Sequence, residues 1–220
     1  MSSSRPHISL VDLGMGNLRS VERALHAAMG EDLSRDVLIT SDPGAVRDAL
    51  AVIVPGQGAF GDCSIALARN GGALSKAITD HIESDYPFLG ICLGLQVLFE
   101  GSDEAPGRSG LGVFKGRVNR LREGLRDADG AAVKIPHMGW NEVTPCGEGT
   151  RWMPSPAWFY FVHSYYVAPD DDSIVAATTE HGERFACAVA RRNLLGVQFH
   201  PEKSQRAGIA LLRRFLESLS

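Results

Sequence analysis

Cys92 stands in the stretch Phe88-Leu89-Gly90-Ile91-Cys92-Leu93-Gly94-Leu95-Gln96, with a glycine two residues to either side. Pro87 to Ile91 is an apolar run that predicts a buried strand, and Leu93 to Glu100 has the composition of a helix. Strand, sharp turn with a nucleophile, then helix is the G-x-nucleophile-x-G elbow, here with sulfur in place of a hydroxyl. Such a turn leaves no room for Cβ atoms beside it, which is why glycine flanks it. The turn also sets the sulfur at the first N–H groups of a helix, a position that favours thiolate. The chemistry this suits is attack on a carbonyl carbon.

A thiol nucleophile needs a group that takes its proton and later delivers it to the leaving amine. Of the seven histidines, His200 is the best placed, because Val197-Gln-Phe-His200 ends an apolar strand and Pro201-Glu202 follows at once. A strand end holds the imidazole, the proline sets the next turn, and Glu202 is placed to orient the ring. Acyl transfer also needs donors for the developing oxyanion. The Leu93 N–H is one, and the turn Gly56-Gln57-Gly58 is the expected source of a second, through the backbone of Gln57 and Gly58.

These residues require a scaffold that presents strand ends together. His7 to Asp12 reads as a strand, Leu18 to Met29 as an amphipathic helix, Val37 to Thr40 as a strand, and Asp42-Pro43 as the cap of a short helix to Leu50. Ala51 to Pro55 is a third strand, followed by helical stretches at 63–69 and 73–83. Strands alternating with helices imply a parallel sheet, whose function collects at the carboxyl ends of its strands. After Glu100 the rhythm changes to strand-like runs at 112–121, 131–135, 158–167, 173–179, 185–190 and 194–199, the pattern of antiparallel strands added to a parallel core. Gln205 to Leu219 closes the chain as a helix. The Gly14-Met15-Gly16-Asn17 turn after the first strand invites a dinucleotide-binding reading, but Arg19 occupies the place of the third glycine, which favours an ordinary turn.

At 220 residues, 44% hydrophobic and 22% charged, the chain fits one large globular domain over 1–220. A net charge of −4 gives no support for nucleic-acid or membrane-surface binding. The first seven residues lack the apolar core of a signal peptide and no apolar run approaches membrane-spanning length, so a cytoplasmic protein is expected. The four cysteines show no C-x-x-C spacing, so neither a metal site nor a redox motif is expected, and no cofactor is implied. The stretch 122–130 is polar and loop-like.

Gly90-Ile-Cys92-Leu-Gly94-Leu-Gln96 together with Phe199-His200-Pro201-Glu202 resembles the paired motifs of the class I (triad) glutamine amidotransferases. Asp12 to Val21, Pro136 to Asn141 and Tyr160 to Tyr165 narrow the resemblance to the imidazole glycerol phosphate synthase branch of that family, and Glu202-Lys203-Ser204 agrees. The resemblance runs from about residue 8 to the C-terminus. It implies an α/β, three-layer class I glutamine amidotransferase-like fold: a mostly parallel central sheet flanked by helices, with added antiparallel strands in the C-terminal half.

The resemblance further implies Cys92 as nucleophile, His200 as base and acid, and Glu202 as orienting carboxylate. It assigns Gln96 and Glu104 to the α-amino and α-carboxylate ends of glutamine, and the backbone of His163, Ser164 and Tyr165 to the rest of the pocket. Ammonia would pass to a (β/α)8-barrel cyclase, the partner of a heterodimer that makes imidazole glycerol phosphate and AICAR in histidine biosynthesis. Asn17, Trp140, Asn141, Tyr160 and Lys203 match positions near that interface or the ammonia gate, while an isolated tryptophan such as Trp140 also fits core packing. One departure is visible: the branch most often has Pro-Gly-Val-Gly at the oxyanion turn, where this chain has Gln57. Amidotransferases of anthranilate, pyridoxal phosphate or GMP synthesis are the nearest rivals, a stand-alone cysteine hydrolase is another, and a non-enzymatic binding module is a third.

Overall fold

The computed structural model describes residues 7–31, 35–127 and 129–219. Its first part is the expected alternation: β1 (His7–Val11), α1 (Leu18–Met29), β2 (Asp36–Thr40), α2 (Pro43–Arg47), β3 (Ala51–Gly56), α3 (Phe60–Glu83), β4 (Phe88–Cys92) and α4 (Leu93–Gln96). The second part holds β5 (Gly101–Ser102), β6 (Gly116–Arg120), β7 (His137–Pro145), α5 (Gly149–Trp152), β8 (Ala157–His163), β9 (Tyr165–Pro169), β10 (Val175–Glu180), β11 (Arg184–Arg191), β12 (Leu194–Val197) and α6 (Gln205–Glu217).

These strands form one mixed sheet in the order β2-β1-β3-β4-β12-β11-β10-β7-β8. The run from β2 to β12 is parallel throughout, and from β11 onward the pairing is antiparallel. Buried side chains alternate between the two faces, as a period of two requires. Ile8, Leu10, Ile53, Leu89 and Ile91 join a core closed by Leu25 of α1 and Leu212 and Phe215 of α6. Val11, Val52, Val54 and Phe88 face the other way, onto Phe60, Leu67 and Ile78 of α3. The three-layer architecture follows from strands apolar on both sides. No helix among the described residues is long and apolar enough to cross a membrane.

Four local expectations are corrected. The helix expected over Leu93 to Glu100 stops after one turn: the Leu98 and Phe99 N–H groups bond three residues back, to Leu95 and Gln96, and the Glu100 N–H donates to the Gly116 carbonyl. The carbonyls of Val97, Leu98, Phe99 and Glu100 accept from Leu111, Phe114, Gly112 and Gly110. Those same bonds hold 110–114 out of any ladder, so the strand expected from 112 begins at Gly116. The run 131–135 forms no strand and contributes only an isolated bridge between Arg126 and Ala132. The long run 158–167 is two strands, β8 and β9, separated at Ser164.

β7, at nine residues the longest strand, is absent from the hydropathy reading. Its inward positions are His137, Gly139, Asn141 and Val143, while Met138 and Trp140 point outward and are 62% and 43% exposed. A strand with polar groups inside and large apolar groups outside inverts the pattern on which sequence reading relies. α3 is one element only in outline. Residues 69–72 leave helical geometry, which matches the two separate helical stretches expected.

Candidate functional site

The register of three neighbouring strands assembles the site. Gly56, the last residue of β3, pairs with Cys92, the last residue of β4. On the other side of β4, Val197 pairs with Ile91, so Gln198 stands level with Cys92 and His200 lies just beyond. The elbow itself is backbone-strained: Cys92 has φ 54° and ψ −104°, a combination that bulky residues avoid. Its glycines are required by contact. A Cβ on Gly94 would fall 1.8 Å from the Val54 carbonyl oxygen, and one on Gly90 would fall 2.5 Å from that of Gly94. Close packing of elbow against sheet thus dictates both residues.

His200 is 1% exposed and is tied at each end of its peptide. Its N–H donates to the Tyr160 carbonyl of β8 at 2.9 Å. Its own carbonyl accepts from the Ser204 hydroxyl at 2.6 Å, and the same hydroxyl accepts from the Tyr160 N–H at 3.0 Å. The ring is oriented by Glu202, whose Oε1 lies 2.8 Å from Nδ1. Both side chains are almost fully buried, at 1% and 3% exposure. Burial is the strongest single influence on this imidazole and opposes its charge. Cys92 and Glu202 together outweigh it, and the ring is held protonated up to about 9. Nε2, the nitrogen turned away from Glu202, has no hydrogen-bond partner of full geometry among the described residues. The thiol is therefore close enough to stabilise the imidazolium without being locked to it, an arrangement common in unliganded catalytic pairs.

A cavity of about 360 Å³ opens over the sulfur. Gln57, Gly58 and Leu93 line it, as do Gln96, Glu104, His163, Ser164 and Tyr165, so the oxyanion and substrate residues expected from sequence share one pocket with Cys92. Leu93 opens α4, where first-turn N–H groups lack helical partners. Gly58 has φ +135°, in the region that favours glycine, and its N–H has no partner among the described residues. The Gly14–Gly16 turn, read from sequence as an ordinary turn, backs this loop: a Cβ on Gly16 would lie 3.2 Å from the Gln57 nitrogen.

The two polar side chains assigned to glutamine's zwitterionic end are both acceptors here. Gln96 spends its Nε2 hydrogens on the Tyr165 carbonyl and on Gln198 Oε1, each at 3.1 Å, which leaves only Oε1 for a ligand. Glu104 accepts from the Phe60 N–H at 2.7 Å, capping α3, whose N-cap residue Ala59 has no capping side chain. A pair of acceptors suits an ammonium group and repels a carboxylate. Ser164 is the complement, since its N–H and hydroxyl make no hydrogen bond with any described residue.

The remaining residues divide by position. Lys203 lines the cavity, and its Nζ lies 5.9 Å from the centre of the Tyr160 ring. Trp140 packs edge-on against Tyr160 at 6.2 Å and is exposed, so core packing does not describe it. β7 and β8 pair Met138 with Val162 and Trp140 with Tyr160, placing them on one outward face beside the cavity mouth. Asn141 points inward, and Asn17 caps α1 through its side chain at 3.2 Å from the Ser20 nitrogen. Three contributors lie inside motifs read from the sequence but carry no role there: Gln198, Ser204 and His137. Each acts through a buried hydrogen bond whose partner is remote in sequence. Among the described residues, no group of three His, Cys, Asp or Glu side chains is arranged to hold a metal ion.

A cysteine on a strained elbow, a His–Glu pair just past the adjoining strand and a pocket of acceptors define an amidotransferase-type thiol site. The family model for glutamine amidotransferase class-I matches residues 11–219. The imidazole glycerol phosphate synthase subunit HisH of Nitrosomonas europaea is 50% identical over 213 residues, which cover 96% of this chain and 97% of the relative. That of Methylococcus capsulatus is 46% identical, with 95% of each chain covered. Among solved structures, a glutamine amidotransferase superposes with a TM-score of 0.71 at 20% identity, covering 96% of this chain and 98% of that one. One from Thermotoga maritima superposes with 0.59 at 16% identity, covering 98% of each. The chain belongs to the class-I glutamine amidotransferases and, within them, to the imidazole glycerol phosphate synthase HisH subunits.

Proposed function

We propose that residues 1–220 act as one glutaminase domain that releases ammonia from glutamine for a cyclase partner in histidine biosynthesis. The observation that carries this reading is the register that brings the ends of β3 and β12 to either side of Cys92, with Cys92, Gln57 and Gly58 lining one cavity. Glutamine enters with its ammonium against Gln96 Oε1 and the free side of Glu104, and its α-carboxylate against the donors of Ser164. The Cys92 thiolate attacks the side-chain amide carbon, and the oxyanion is met by the N–H groups of Leu93 and Gly58. His200 gives its proton to the leaving nitrogen, so that ammonia departs and a glutamyl thioester remains. Water then loses a proton to His200 and attacks the thioester. Glutamate leaves and the thiolate is restored. Glu202 holds the ring in the tautomer that both transfers require.

The outward face of Met138, Trp140 and Tyr160, with Lys203 and Asn17, supports docking of a (β/α)8-barrel cyclase over the cavity mouth, so that ammonia passes without meeting bulk water. A rigid half-exposed tryptophan is the kind of anchor such interfaces use. A cytoplasmic heterodimer of this chain with the cyclase belongs to the same reading. Gly58, with an unengaged N–H, leaves the oxyanion turn free to reorient, and the same reading has the turn rest in an inactive orientation until the partner binds. A glutaminase rate for the free chain equal to that of the complex would overturn that last element. The reading as a whole is tested by Cys92→Ala, which is expected to abolish glutamine-dependent synthesis by the complex while synthesis from ammonium continues. Loss of both would overturn the nucleophile assignment.

A further inference from the structure

A line of hydrogen bonds runs from the inward side of β7 to the sulfur. Asn141 Nδ2 donates to the Glu180 carbonyl at 2.6 Å and lies 3.2 Å from His137 Nε2. His137 Nδ1 lies 2.9 Å from His163 Nε2, and His163 Nδ1 lies 2.9 Å from the Tyr165 carbonyl. That carbonyl also accepts from Gln96, which donates in turn to Gln198 Oε1. Gln198, 0% exposed, turns its Nε2 to Cys92 Sγ at 3.4 Å.

The direction of every bond follows from one end. A carbonyl only accepts, so His163 carries its hydrogen on Nδ1 and leaves Nε2 bare. His137 must then donate from Nδ1, which leaves its Nε2 to accept from Asn141. Burial, the largest influence on both rings, pushes His137 down to about 2 and His163 down to about 3, so each is neutral with one hydrogen to place. His137 is clamped between the Phe161 and His181 rings, at 4.6 and 4.0 Å between centres. The amide orientations of Gln96 and Gln198 are set by the same logic. Because the two arms converge as donors on the Tyr165 carbonyl, the line cannot pass a proton. It can only transmit position.

We propose that Gln198 stabilises and aims the Cys92 thiolate, and that the Asn141–His137–His163–Gln96 line holds its amide in that pose. The β7 edge beside Trp140 is thereby coupled to the nucleophile. This rests on Cys92 being the nucleophile as proposed above, but its test does not need glutaminase activity. The rate of Cys92 alkylation by iodoacetamide, followed by mass spectrometry on the full chain at pH 7, reads the thiolate directly. Gln198→Met, which keeps the volume and removes the donor, is expected to slow alkylation about tenfold, the size of one charge-assisted hydrogen bond. Gln198→Glu, which sets a carboxylate against sulfur, is expected to slow it further, whereas a packing role would leave the two variants alike. Asn141→Asp, which keeps the side-chain shape, removes the donor to both His137 and the Glu180 carbonyl and is expected to slow alkylation about threefold. The double variant Asn141→Asp/Gln198→Met is expected to be no slower than Gln198→Met alone, since both act through one amide. Unaltered alkylation in Gln198→Met, or an additive double variant, would overturn the proposal. If instead Cys92→Ala left glutaminase intact, the catalytic reading would fall while the alkylation results stood.

Discussion

The two strands that flank β4 deliver their residues to Cys92 in opposite styles. At the β12 exit Gln198 is 0% and His200 1% exposed, and the segment is fastened from several directions. Gln198 N–H donates to Cys187 at 2.8 Å, His200 N–H to Tyr160, and Ser204 bridges both strands. At the β3 exit, Gln57 is half-buried, Gly58 is exposed with φ +135°, and its N–H is unengaged. One side of the nucleophile is overdetermined and the other is held by little beyond the Gly16 contact. Proton transfer needs a fixed distance, so the His200 side gains from rigidity. Oxyanion donors can serve as a switch, because a single peptide reorientation adds or removes one of them. The difference is what the proposed roles ask for, a fixed acid–base group at the strand end and a reorientable donor at the turn.

The largest effect is expected at the pivot both sides share. Cys92→Ala is expected to lower glutamine hydrolysis by about 10⁴-fold or more, measured as glutamate release, with ammonium-dependent synthesis intact. On the rigid side, Glu202→Gln preserves shape but removes the charge facing Nδ1, and a loss of roughly 10²- to 10⁴-fold in kcat is expected. The same variant shifts the pH dependence. In the native chain the imidazolium is retained to about 9, above the unfolded histidine value of about 6.5. Its contribution to stability is thus fully present below about 6.5 and lost as pH rises through about 9. Glutaminase activity is expected to fall about tenfold per pH unit on that alkaline side, and Glu202→Gln moves the fall to lower pH. A profile still flat beyond about pH 10 would contradict the assigned role of His200 as acid.

Ser204→Ala leaves the Tyr160 N–H without its acceptor and takes one of two donors from the His200 carbonyl, which keeps the Lys203 N–H, and is expected to cost about 2 kcal/mol of stability together with a moderate drop in kcat. Thermal denaturation and kinetics on the same preparation check this. The smallest effect is expected on the open side. Gln57→Val alters a side chain where the role belongs to the backbone, so kcat of the complex is expected to change by less than about threefold. A loss as large as that of Ser204→Ala would show that the turn is as tightly specified as the β12 exit.

Much of this site is legible in the sequence, because its parts are local. The elbow at 90–94 and His200-Pro201-Glu202 are contiguous motifs whose chemistry follows from residue type and spacing. The alternation of strand and helix through Gln96 requires only the periods of 2 and 3.6. Even the break in α3 is visible, in the composition of Asn70-Gly71-Gly72. The errors cluster where chain-remote partners claim backbone groups that local rules assign to a helix or a strand. Val97 to Glu100 would continue α4 but for the 110–114 segment, and β7 hides because its inward face is polar.

Residue order alone thus pointed to the nucleophile candidate and its proposed acid–base partners and determined the parallel scaffold, since each is encoded within a few neighbouring positions. Register and packing decided the rest. They set Gly56 against Cys92 and Gln198 level with it, left Gln96 with only an oxygen to offer, and made Glu104 both a helix cap and a pocket wall. Hydrogen-bond valence is finite, and how a buried amide spends it depends on partners that only the folded chain brings within reach.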